Sequence, residues 1–142
     1  MIFLKRDSEI AKMREAGRVL ARTMRVVAES IVPGKTTLLD LDSLAERLIL
    51  EAGCQASFKG YRGYPAATCL SVNEVVIHGI PDGRVLKEGD IVDLDFGVIY
   101  EGWHADGAWT YPVGTVSESA QRLMNVTRES LYQGIAKARA GN

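Results

Sequence analysis

Histidine and cysteine are scarce, two of each in 142 residues. The cysteines, Cys54 and Cys69, are too few for a disulfide framework and lack metal-finger spacing, so reduced thiols are expected. No apolar run is long enough to span a bilayer, and Met1-Ile-Phe-Leu-Lys-Arg6 leads straight into a charged segment without the apolar core of a signal peptide. These absences point to the cytoplasm and away from a membrane partner. Charge of neither sign dominates: 17 Lys and Arg stand against 18 Asp and Glu, a net charge of -1, with no basic run of the kind that tracks phosphates. That balance excludes a nucleic-acid footprint by composition. Repeats and low-complexity linkers are also absent, so residues 1–142 are expected to form a single domain, and 46% hydrophobic residues suffice for its core.

What is present reads first as helix. Asp7 or Ser8 can cap a helix whose apolar positions Ile10, Met13, Val19, Leu20, Met24, Val27 and Ile31 follow helical spacing until Val32-Pro-Gly-Lys ends it. Thr37 with Asp40 resembles a capping arrangement for a second helix carrying Leu38, Leu41, Leu44, Leu48 and Ile49, stopped by Gly53. The glycine- and aromatic-rich Gln55 to Pro65 follows, then short strands over Ala67 to Val72 and Val75 to His78, and a tight turn at Pro81-Asp-Gly83. Ser117 and Glu118 open a third helix with Leu123, Val126, Leu131 and Ile135 on one face and Lys137 and Arg139 near its end. The order predicts an α+β architecture, an antiparallel β-sheet with helices covering one face.

The chemistry sits between the last two elements. Ile91 to Tyr100 and Trp103 to Val113 are rich in β-branched and aromatic residues, and Glu101-Gly102 is a two-residue turn candidate, which predicts a β-hairpin. With the turn centred there, Asp95 lies opposite Ala108, and Asp106 projects from the same face as diagonal neighbour of Asp95. Diagonal positions are roughly 7–8 Å apart, a gap that divalent cations can span with carboxylate oxygens at about 2.0–2.2 Å. A one-residue slip would destroy the pairing. Asp93 shares the parity of Asp95, so parity alone does not separate a ligand from a neighbour. The ordinary alternative is that such aspartates are solvent-facing charges that keep the sheet soluble. Glu101, in the turn, is expected to face solvent.

Three ordered motifs extend the reading: Ser71-Val-Asn-Glu-Val-Val-Ile-His78-Gly-Ile-Pro81, Gly89-Asp-Ile-Val-Asp-Leu-Asp95-Phe-Gly and Gly102-Trp-His-Ala-Asp106. With Phe58-Lys-Gly-Tyr-Arg-Gly-Tyr-Pro65 and Cys69 they make the chain resemble the type I methionine aminopeptidases over nearly its whole length. The resemblance implies the N-terminal half of a pita-bread fold and metal-dependent hydrolytic removal of the N-terminal methionine from nascent proteins. It implies two divalent metal ions per complete site, held by two aspartates, one histidine and two glutamates, with manganese, iron, cobalt or zinc all acceptable to such donors. Asp95 matches the aspartate of one metal and Asp106 the bridging aspartate. His78 matches a histidine that is not a ligand but contacts substrate beside the scissile amide. Tyr61, Tyr64 and Cys69 match residues lining the methionine side-chain pocket, where soft aromatic and sulfur walls suit a thioether.

The resemblance also implies an incomplete site. The remaining histidine and two glutamates belong to a second half of the fold, and His104 matches no ligand position. It shares the face of Asp106, which suits either a partner for a carboxylate or a packing histidine. A missing C-terminal half, or a homodimer mimicking it, is the expected partner. The competing class is an inactive half-domain or a non-enzymatic pita-bread binding module. A cysteine hydrolase built on Cys69 and His78 lacks a third group to orient the histidine, and the paired aspartates point to metal chemistry instead.

Overall fold

In a computed structural model, which describes residues 2–142, helix α1 spans Asp7–Glu29, α2 Leu38–Glu51 and α3 Glu118–Lys137, and strands β1 to β4 span Gln55–Ala56, Cys69–Val72, Ile91–Tyr100 and Trp103–Pro112. β3 is the central strand. It pairs antiparallel with β4 along one edge and with β1 and β2 in tandem along the other. The hairpin turn is Glu101-Gly102, both at positive φ (46° and 81°), the left-handed pair that matches the twist of a two-residue hairpin. Asp95 pairs with Ala108 and Gly97 with Asp106, the expected register.

Alternation along β3 divides the sheet. Val92, Leu94, Phe96 and Val98 are buried and share a core with Leu20 and Val27 of α1 and Leu41, Ala45 and Ile49 of α2. Asp93, Asp95 and Gly97 take the opposite face, which neither helix covers. The α+β architecture is as expected, with α1 and α2 on one face.

Capping chemistry sets the helix starts. Thr37 Oγ1 accepts the Asp40 N–H at 3.1 Å while Asp40 accepts the Thr37 N–H at 2.9 Å, a reciprocal box. α1 corrects the expected cap. Its N-cap is Arg6, whose backbone N–H donates to Glu9 at 2.7 Å, because a carboxylate three residues on can hold the helix start without an Asp7 or Ser8 cap. Ile10 and Met13 are 39% and 37% exposed rather than buried, since that end of α1 lies by the hairpin tip, where Lys12 pairs with Glu101 at 2.8 Å.

Two further expectations are corrected. Val75 to His78 is loop, not strand: Asn73 turns the chain at φ 54°, held by bonds to Asp90 (2.8 Å) and from the Ile91 N–H (3.0 Å), and its β-branched residues find no strand to pair with. α3 starts where expected, with Ser117 accepting the Ala120 N–H at 3.2 Å, but it buries nothing. Leu123, Val126, Leu131 and Ile135 remain about half exposed, and a groove of about 640 Å³ lined by Ile91, Trp109, Met124 and Leu131 separates α3 from the hairpin. An amphipathic stripe announces that a helix face wants cover, not where the cover lies.

Candidate metal centre

The floor of the site is the sheet face opposite the core. Cys69 on β2 stands directly across from Asp95, Ser71 across from Asp93, and on the other side Thr110 and Ala108 face Asp93 and Asp95. Asp106 is exposed and Asp95 half-buried. Asp95 carries the strain of the arrangement. Burial first, then the charges of Asp106 and Asp93, push its carboxyl up to about 6, while His78 pulls it the other way. Asp93 is also raised by burial, opposed by a hydrogen bond from the Thr110 hydroxyl at 3.1 Å. Parity alone left Asp93 undecided, and the Thr110 hydroxyl gives it a partner of its own.

The remaining candidates divide by position. Cys69 is 5% exposed, and burial with the nearby aspartates raises its thiol against a lowering hydrogen bond from Tyr64. A protonated, buried thiol with no hydrogen bond to His78 among the described residues is no nucleophile. His78 is exposed, at φ 59°, close enough to lower the Asp95 carboxyl. Tyr64 is half-buried, its hydroxyl donating to the carbonyls of Thr68 (3.0 Å) and Gly79 (3.2 Å), and burial raises its pKa. Tyr61 is 65% exposed, with the Arg62 guanidinium 5.5 Å from its ring. Among the described residues His104 hydrogen-bonds to no carboxylate. Its Nδ1 lies 3.1 Å from Ser57 Oγ, because Ser57 follows β1 alongside β3 and donates its N–H to the Gly97 carbonyl at 3.0 Å, where a Cβ on Gly97 would come within 2.8 Å of the serine side chain.

Sequence reasoning passed over the supports of this floor. Asp42 on α2 accepts both the N–H (2.9 Å) and the hydroxyl (2.7 Å) of Thr68, tying the start of β2 to the helix layer. Its place within an amphipathic helix gave no hint, since a polar helix position usually faces solvent. Among the described residues no group of three or more His, Cys, Asp and Glu is arranged to hold a metal ion. Two carboxylates that repel each other on the face away from the helices, with no lysine or arginine bridged to either among the described residues, fit a divalent ion as part of a ligand set.

The chain is similar to known aminopeptidases throughout. It is 48% identical to methionine aminopeptidase 1 of Bacillus subtilis over 99% of this chain and 56% of that protein, and 47% identical to the methionine aminopeptidase of Clostridium perfringens over 100% and 57%. The crystal structure of methionine aminopeptidase from Thermotoga maritima superposes with a TM-score of 0.94 at 44% identity, covering 98% of this chain and 56% of that one. The chain thus spans about half the length of these relatives, and its sheet and helices are those of half a pita-bread fold. Since the model of metallopeptidase family M24 matches residues 11–142, which include the hairpin and both its aspartates, the chain belongs to that family.

Proposed function

We propose that this chain supplies the two-aspartate half of a divalent-metal aminopeptidase site that removes N-terminal methionine from nascent polypeptides in the cytoplasm. The carrying observation is the Asp95–Asp106 pair: two carboxylates placed on one face by the hairpin register, one pushed up to about 6 by burial and by the other. Such a pair is short of positive charge, and a divalent ion supplies it. Asp95 and Asp106 would hold the metal. When bound, a metal pair lowers the pKa of a water and polarises the scissile carbonyl.

The chain's own groups do the rest. His78, exposed at the rim, is free to contact the peptide beside the scissile amide and to hold or pass a proton to the leaving nitrogen. Cys69, neutral and buried beside Asp95, gives the floor a soft wall that suits a thioether, with Tyr64 beside it and Tyr61 at the outer edge. The other ligands come from a second segment, either one equivalent to the rest of the relatives or a second copy of this chain. A second reading, a half-domain that binds without catalysis, is favoured by the lack of any three-ligand cluster among the described residues.

The test is release of methionine from a Met-Ala-Ser peptide with manganese or cobalt. The purified chain is assayed alone and mixed with a polypeptide matching the unmatched half of the Bacillus subtilis relative. The proposal expects release in at least one arm and a loss of about a hundredfold or more in Asp106→Asn. No release in either arm leaves the binding-module reading, and release that survives Asp106→Asn overturns the metal role given to Asp106.

A further inference from the structure

His78 is a non-glycine residue in left-handed backbone, a conformation that persists only where its surroundings over-determine it. The restraints converge on its neighbour. The Gly79 carbonyl accepts the Leu70 N–H at 2.8 Å and the Tyr64 hydroxyl at 3.2 Å, and the Gly79 N–H donates to Ser71 Oγ at 3.1 Å. Gly79 lies so close to β2 that a Cβ there would run into the Leu70 carbonyl, so the peptide has no room to rotate. The restraints come from two parts of the chain: the backbone and a side chain of β2, and the 61–68 loop.

We infer that Tyr64 is a positioning residue, a latch whose hydroxyl fixes the Gly79 peptide and through it the left-handed turn that presents His78 to the acidic face. Its hydroxyl donates to the Thr68 and Gly79 carbonyls at 3.0 and 3.2 Å, with the Cys69 side chain as a third neighbour, so the oxygen is tied to the backbone on two sides. The far side of the latch is anchored by Asp42, which holds the Thr68 N–H and hydroxyl, so the chain of bonds runs from α2 through Thr68 and Tyr64 to Gly79. Ser71, 3% exposed and two residues beyond Cys69 on β2, holds the adjoining His78–Gly79 peptide by its N–H, while Tyr64 and Leu70 hold the Gly79 carbonyl. An apolar wall would need only the ring of Tyr64, whereas a latch needs the oxygen.

The significance of His78 rests on the proposed function, but the test uses neither metal nor substrate, so a chain that releases no methionine leaves the latch intact and the two can fail separately. Amide hydrogen exchange and imidazole NMR signals are compared for the chain, Tyr64→Phe and Ser71→Ala. Tyr64→Phe keeps the ring and removes the oxygen. The expected result is a shift of the His78 ring signals and faster exchange at Gly79 and Leu70 by about five- to tenfold, the ratio one lost hydrogen bond gives, with Leu94 in the core unchanged. Ser71→Ala reproduces the effect at Gly79. Unchanged His78 and Gly79 signals in Tyr64→Phe overturn the inference. So does acceleration at Leu94 equal to that at Gly79, which assigns the hydroxyl to general stability.

Discussion

Asp95 shows how one residue can weaken the fold it serves. Its carboxyl is raised to about 6 in the folded chain, above the value near 3.9 of an unfolded aspartate. A raised carboxyl means that the folded state prefers the neutral acid. Its contribution to stability is therefore fully present below about pH 4 and is lost as pH rises through about 6. Asp95→Asn mimics the neutral acid at every pH. In chelator, the variant is expected to melt higher than the parent near pH 7.5, and this advantage is expected to vanish near pH 4. Thermal melts across that range check it, and a difference independent of pH would refute the charge origin. The sequence showed that Asp95 and Asp106 share a face, because alternation in a strand is strict. The same register sets Thr110 across from Asp93, but the sequence could not show that Ser57 meets His104, a tertiary contact between residues that no local pattern links.

At the scale of the element, the hairpin decides everything downstream. Its register is pinned by the left-handed Glu101-Gly102 turn and by the buried row Val92, Leu94, Phe96 and Val98, since a one-residue slip would turn that row to solvent and the aspartates into the core. Phe96, fully buried in the core shared with α1 and α2 and flanked in sequence by Asp95 and Gly97, is the largest side chain in the row. Phe96→Ala is expected to cost about 3–5 kcal/mol by urea denaturation, enough to remove most of the stability of a domain this size. A loss under about 1 kcal/mol would mean that the row does not hold the register. Hairpin and helices were legible because period and turn chemistry agree there. Val75 to His78 misled because a β-branched run reads as strand whether or not a partner edge exists, and here Asn73 and the Gly79 contacts bend it into a loop.

The whole molecule is lopsided in cover. One face of the sheet lies under α1 and α2, the other holds three aspartates in a half-open floor, and α3 keeps its apolar stripe exposed. Among the described residues no helix is long and apolar enough to cross a membrane. The family and the half-fold were readable from motifs in order, while the exposure of α3 was not, because periodicity carries no address for its partner. The same lopsidedness locates the claim on which the proposed function depends, that the acidic face away from the helices takes a divalent metal through Asp95 and Asp106. Manganese added to isotopically labelled chain tests it most directly, because the paramagnetic ion broadens the amide signals nearest to it. The prediction is broadening concentrated at residues 93–97 and 104–108 and abolished in Asp106→Asn. Broadening spread over the exposed acidic residues elsewhere, or left unchanged in that variant, would contradict it.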